Sequence, residues 1–304
     1  MPFKFFNNAM RLTSDDLQAP VRYLIKEFLV EEAITMWYSE SNQGKTWFTL
    51  SVAQYLLDNT MPKDIFYMDM DNGRSNIKER KIEHLLDGYH NFNLIHRSTI
   101  EVEPFELLEN IGKEAVGSNY KHCFFFFDAV RDFVDGDMNN GNKVRRMLTI
   151  FKNIREAGGT VILIHHTTKN GSAMDGSSEF KNGIDNLYKL SLSQSYNDTM
   201  HFSLEVEKER HTIKDNGFTV NVKTLALKEL DPDIASMSKK DEEFVELIKD
   251  VLKKNPNGIG QSQLLMNAGF SKGDRAANTM LQQFIGKLWD FEEGANKSKT
   301  YKLL

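Results

Sequence analysis

Residues 38–47 read YSESNQGKTW, and the closing GKT is what a phosphate-binding loop needs where a strand runs into a helix. Such a loop turns backbone N–H groups inward and points a helix N-terminus at the anion. A lysine and a hydroxyl follow, for the β/γ-phosphates and for Mg2+. Lys45 and Thr46 supply the last two, and Gly44 keeps the position closest to the phosphates. The expected nucleotide contacts are therefore Ser39, Glu40, Ser41, Asn42, Gln43, Gly44, Lys45, Thr46 and Trp47. Ser39 stands where the pattern G-x-x-x-x-G-K-[ST] begins with glycine, a position a small residue can fill at modest conformational cost. A capped helix start with an incidental GKT is the plainer alternative, and a second motif must decide between them.

That second motif is HCFFFFD, which sets Asp128 at the end of a buried apolar run, where open α/β sheets hold ligands. A carboxylate there orders a metal-bound water, so Thr46 and Asp128 are the expected Mg2+ side of the site. Asp69 and Asp71 close the run FYMDMDN and are candidates to activate the attacking water; Asp71 is the better positional match and Asp69 the fallback. His165 and His166 follow another buried run, VILIHH, where a polar residue can sense the terminal phosphate and signal to the next loop. Buried core histidines are the bland alternative.

The elements that must position these residues alternate. Strand-like runs at 33–38, 64–70, 93–96, 122–127 and 160–164 are separated by helical spacing at 46–58, 74–86, 104–115 and 143–157. Continuous apolar strands between helices predict a mostly parallel sheet covered on both faces. After about residue 183 the pattern changes. Residues 201–213 and 218–230 alternate with period two and are expected as antiparallel strands extending the sheet. A polar, proline-bearing linker is placed at 231–240. Residues 241–304 then read helix, turn, short helix, turn, helix and a basic hairpin, the outline of a winged helix. The expected division is 1–230 for the core with a short N-terminal segment, 231–240 for the linker and 241–304 for the small domain.

Composition bounds the partners. The chain has 304 residues, 40% hydrophobic and 27% charged, with a net charge of -5. The overall field repels a polyanion weakly, so any nucleic-acid contact must come from local basic loops. One cysteine, Cys123, excludes an intrachain disulfide and fits a reducing cytosol. The N-terminal residues carry no long apolar stretch, so neither a signal peptide nor a membrane span is expected.

Together the loop GKT, FYMDMDN, FFFDAVRDFVDGDMNNGNKVRRML, HHTTKNG and GSSEFKNGIDNLYKL resemble the RecA-like ATPases of the plasmid RepA hexameric helicase type, over residues from about 20 to the 220s. The resemblance implies a RecA-like P-loop NTPase core, a homo-hexameric ring with ATP and Mg2+ at subunit interfaces, and single-stranded DNA in the pore, with replication proteins as possible partners. Such rings need a cation from the neighbouring subunit. Lys208 and Arg210, on the same side of a strand in KERH, are the candidates, with a solvated charge cluster as the alternative. Loops 131–145 and 167–182 are the expected pore lining, with Lys143, Arg145, Lys169 and Lys181 as phosphate contacts. In the small domain Lys272, Arg275, Lys297 and Lys299 are the expected DNA contacts. Ser39, an aspartate where many relatives have a glutamate base, and the appended small domain depart from the family pattern. The expected function is an ATP-driven DNA motor, with two alternatives: a recombination-mediator ATPase, or a nucleotide-switched DNA-binding regulator.

Overall fold

The computed structural model describes residues 13–14, 17–80, 82–168, 174–196, 198–294 and 298–304. Two compact units divide the chain: Met1–Ser41, Val52–Lys189 and Val206–Lys214 form the first, and Asn42–Ser51, Leu190–Glu205 and Asp215–Leu304 the second.

In the first unit a short hairpin of β1 (Tyr23–Ile25) and β2 (Leu29–Val30) leads into β3 (Ile34–Ser39). Helix α1 (Lys45–Asn59) follows the loop, and then come β4 (Asp64–Asp69), α2 (Arg74–Glu79), α3 (Glu83–Gly88) and β5 (Phe92–His96). The chain continues through α4 (Pro104–Lys113), β6 (Cys123–Asp128), a 3-10 turn at Val130–Phe133, α5 (Gly141–Glu156), β7 (Thr160–His166) and α6 (Glu179–Gly183) into β8 (Asn186–Tyr196). The strands here lie in the order β8-β3-β7-β6-β4-β5, and every pair is parallel. This is the mostly parallel α/β sheet the apolar runs predicted. The register explains why: β3 and β6 are buried at all six positions, as strands covered on both faces must be. The core on one face joins Phe125 and Phe127 to Met147, Phe151 and Ile154 of α5.

In the second unit β8 continues beside β9 (Thr199–Lys208), β10 (Asn216–Asn221) and β11 (Leu227–Leu230). β9, β10 and β11 pair antiparallel, as the period-two alternation required. A turn of helix, α7 (Pro232–Ala235), is capped by Asp231. Gly217 in β10 is small because a Cβ there would stand 2.5 Å from the Ala235 methyl. Then follow α8 (Lys239–Lys254), β12 (Ile259–Gly260), α9 (Gln261–Asn267), α10 (Arg275–Gln283), β13 (Trp289–Glu293) and β14 (Lys299–Leu303). The three strands form an antiparallel sheet, β12-β14-β13, around an apolar cluster that includes Phe244, Ile248, Leu264, Leu281, Trp289 and Tyr301. Ser238 and Asp241 form a capping box that starts α8 sharply.

Three local expectations differ from the structure. Residues 74–86 form two short helices, not one, because α2 buries no residue and Arg80 turns back to bond Asn72 at 2.9 Å. Residues 218–230 form two strands. Asn221 Oδ1 accepts from the N–H groups of Lys223 and Thr224, closing a turn inside the alternating run. The third is β8, where Leu190 and Leu192 alternate with serines, a strand that the continuous apolar runs do not predict. Residues 231–240 hold α7 and the capping box, with Ala235 and Met237 buried. Among the described residues no helix is long and apolar enough to cross a membrane.

Candidate functional site

The loop after β3 is built to expose backbone donors. Ser39 is buried, its hydroxyl donates to the Glu40 carbonyl at 3.1 Å, and its carbonyl accepts from Thr167 N–H at 3.2 Å. A buried small side chain thus fits the position where the common pattern has glycine. Further on, Asn42 (φ 62°) and Gly44 (φ 69°) are left-handed, which turns successive N–H groups to one side. At Gly44 the left-handed backbone calls for glycine, and a Cβ there would also crowd the side-chain tips of Met200 at 2.8 Å and Phe202 at 3.0 Å. Gln43 Oε1 accepts from Leu192 N–H at 3.2 Å, tying the loop to β8. Helix α1 begins at Lys45, which is 7% exposed, and Thr49 returns a bond to the Lys45 carbonyl at 2.8 Å.

Asp128 and Asp69 are register partners at the C-terminal ends of β6 and β4. Both are 2% exposed. Asp128 Oδ2 accepts from the Tyr67 hydroxyl at 3.0 Å, and the Tyr67 ring stacks on Phe126. Asp69 accepts from Asn72 N–H at 2.9 Å and from the Asn72 amide at 3.0 Å. Burial, reinforced by the neighbouring Asp69 charge, pushes the Asp128 carboxyl up to about 7. Burial raises Asp69 as well, against the Asn72 bonds. Two crowded hard-oxygen donors short of positive charge suit a Mg2+ ion. Among the described residues no group of three or more His, Cys, Asp or Glu forms a complete metal cage.

Asp71 joins three strand ends. Its Oδ1 accepts from Arg131 Nη2 at 2.6 Å, on the turn after β6, and its Oδ2 lies 3.5 Å from His166 Nε2 at the end of β7. His166, then Arg131, hold the Asp71 carboxyl down at about 2. His165 is fully buried and donates from Nε2 to the Asp175 carbonyl at 2.8 Å, fastening the far end of the following loop. Burial pushes its pKa down to about 4, so the ring is neutral near neutral pH.

The structure does not bring together every residue singled out in the sequence. Lys208 Nζ donates to three carbonyls, those of Lys181 (2.6 Å), Asn182 (3.3 Å) and Ile184 (2.6 Å). Arg210 pairs at 3.2 Å with Asp185, a buried carboxylate that also pairs with Arg155 and accepts from Ile34 N–H. Lys143 pairs with Asp135 at 2.8 Å, Arg145 with Glu179 at 3.0 Å, and Lys181 lies 3.7 Å from Glu207. Lys299 lies over the Phe291 ring at 3.9 Å. Lys272, just before α10, and Arg275, at its start, are exposed and have no ion-pair partner among the described residues. Lys169 and Lys297 lie outside the described residues. Sequence reasoning gave no role to Tyr67, Asn72 or Arg80, and placed Arg131 only within the expected pore loop 131–145. Tyr67 could have been found from its spacing to Asp69, two residues along one strand face, and Arg131 from its place three residues after Asp128.

No family model and no curated protein sequence matches this chain. Its fold is similar to solved structures. One is a KaiC-like protein from the archaeon Pyrococcus horikoshii: 15% identical, TM-score 0.49, covering 70% of this chain and 100% of that one. Another is the flagellar accessory protein FlaH from Methanocaldococcus jannaschii: 13% identical, TM-score 0.45, covering 66% of this chain and 90% of that one.

Proposed function

We propose that this chain is a Mg2+-dependent P-loop ATPase with a RecA-like core, acting as a DNA motor. The fullest form of the proposal is a hexameric ring helicase in plasmid or phage replication, working in the cytoplasm on single-stranded DNA. The carrying observation is Asp128, a carboxylate 2% exposed at the same edge of the parallel strands as Ser39, where the GKT loop begins. Lys45 and Thr46 would hold the phosphates, and Thr46 and Asp128 the metal. When bound, Mg2+ supplies charge neutralisation at the β- and γ-phosphate oxygens. Tyr67 keeps one Asp128 oxygen fixed, Asn72 orients Asp69, and Asp71 is the carboxylate that would take the proton of the attacking water.

Movement on DNA is supported by position. The loops after β6 and β7 leave the sheet at this edge, so nucleotide-driven shifts there would reach both. Residues 239–304, in the order helix, strand, two helices and hairpin, support a winged helix with Lys272 and Arg275 at the N-terminal end of α10. A second possibility, a nucleotide-switched DNA-binding regulator, is favoured by one observation. Lys143, Arg145 and Lys181 lie within ion-pair distance of carboxylates, whereas Lys272 and Arg275 have none so placed among the described residues. ATP turnover with and without single-stranded DNA separates the two, and unwinding of a forked duplex separates a helicase from a recombination mediator. Turnover that DNA leaves unchanged would argue against the motor.

A further inference from the structure

The site contains a conflict. Asp71 is the carboxylate best placed to take a proton, yet its oxygens already face Arg131 at 2.6 Å and His166 at 3.5 Å. A general base needs a free lone pair and a basicity matched to working pH. The 2.6 Å bond from Arg131 occupies Asp71 Oδ1 and opposes proton uptake at that oxygen. The groups facing Asp71 are Arg131 and Asp132 from the turn after β6, Asp128 from β6 and His166 from β7.

A second observation concerns the supply of positive charge. Phosphoryl transfer needs a cation beyond the loop lysine. Lys208 is spent on three backbone carbonyls, and Arg155 and Arg210 on buried Asp185. Arg131 differs from these in its place at the ends of the parallel strands. It stands three residues beyond Asp128, at the ligand edge of the sheet, with its side chain 44% exposed. Its bond to Asp71 uses one terminal nitrogen, and its Nε lies 3.9 Å from Asp132. A guanidinium offers five donors in a planar fork, so a phosphate oxygen pair is a better partner than one carboxylate oxygen.

We infer that Arg131 is a catalytic residue: it holds Asp71 in the resting chain and passes to the γ-phosphate oxygens when nucleoside triphosphate binds, releasing Asp71 to act as base. The inference rests on the ATPase function proposed above. In the step itself the oxygen of water bonds to the γ-phosphorus and the bond from that phosphorus to the β–γ bridging oxygen breaks. The water proton goes to Asp71, and the products are nucleoside diphosphate and phosphate. Arg131 gives up no proton; it exchanges one anionic partner for another.

The test uses the full chain and four variants: Lys45→Ala, Arg131→Gln, Arg131→Lys and Asp71→Asn. ATP hydrolysis gives kcat and KM, and binding is measured for ADP alone and for ADP with aluminium fluoride, which mimics the transferred group. Arg131→Gln is expected to lower kcat by about 10²–10⁴-fold, with KM and ADP affinity changed by no more than about threefold. It should also lose the extra affinity that aluminium fluoride confers. Arg131→Lys should regain part of both, and Asp71→Asn should lose kcat yet keep the aluminium fluoride effect. If wild type turns over, Lys45→Ala does not, and Arg131→Gln matches wild type, the inference is overturned while the ATPase stands. Loss of the aluminium fluoride effect in Asp71→Asn but not in Arg131→Gln overturns it as well. If wild type neither binds ADP nor hydrolyses ATP, the ATPase proposal itself falls, and the role of Arg131 with it.

Discussion

Gly44 is the residue on which the loop geometry depends most directly. Its φ of 69° is left-handed, a conformation strained for any side chain, and a Cβ there would also push the Met200 methyl aside at 2.8 Å. Gly44→Ala is expected to weaken ADP binding by about tenfold or more, since left-handed backbone alone costs a non-glycine residue about 1–2 kcal/mol. Isothermal titration would read it, and unchanged affinity would contradict the loop assignment. Asp128 makes a prediction about pH. Its folded carboxyl lies at about 7 against an ordinary 3.8, so the folded chain binds its proton more tightly than the unfolded chain does. The stability this contributes is complete below the ordinary value and is lost as pH rises towards about 7. Asp128→Asn cannot charge. Without Mg2+ or nucleotide it should unfold like wild type at low pH and be more stable by roughly 1–3 kcal/mol above neutrality. Denaturant melts at two pH values check this; a constant difference would remove the burial account of Asp128.

At the scale of elements, Asp185 connects the start of β3 to α5 and to the segment after β9, through Ile34 N–H, Arg155 and Arg210. Asp185→Ala should cost roughly 3–5 kcal/mol, because it strands buried partners. Arg210→Ala should cost less than about 1 kcal/mol, its side chain being half exposed and Arg155 remaining in place. Equal losses in urea melts would refute this ranking. The same region shows what can be read from the chain beforehand. β3, β6 and β7 are legible because continuous apolar runs leave little alternative to a buried strand. The loop lysine and the strand-end carboxylates are legible because their chemistry fixes their spacing. What stays hidden depends on pairing across strands. The Tyr67 hydroxyl meets Asp128, and Arg131 meets Asp71, only once β4 and β6 lie side by side in register. The commitment of Lys208 to three carbonyls is likewise invisible in KERH, because its partners lie around α6, some 25 residues earlier.

At the scale of the whole molecule, the net charge of -5 means that the proposed DNA contact would have to come from local groups. Lys272 and Arg275, which have no ion-pair partner among the described residues, are the candidates, and replacing both with alanine should flatten the dependence of log affinity on log salt by about 1.5–2. An unchanged slope would place the DNA grip elsewhere. The most direct test of the central claim is ATP hydrolysis by wild type and Lys45→Ala, with and without single-stranded DNA, in Mg2+. The account predicts Mg2+-dependent turnover in wild type, stimulation by DNA, and no turnover in Lys45→Ala. Turnover that survives the loss of Lys45, or its absence from wild type under all these conditions, would contradict it.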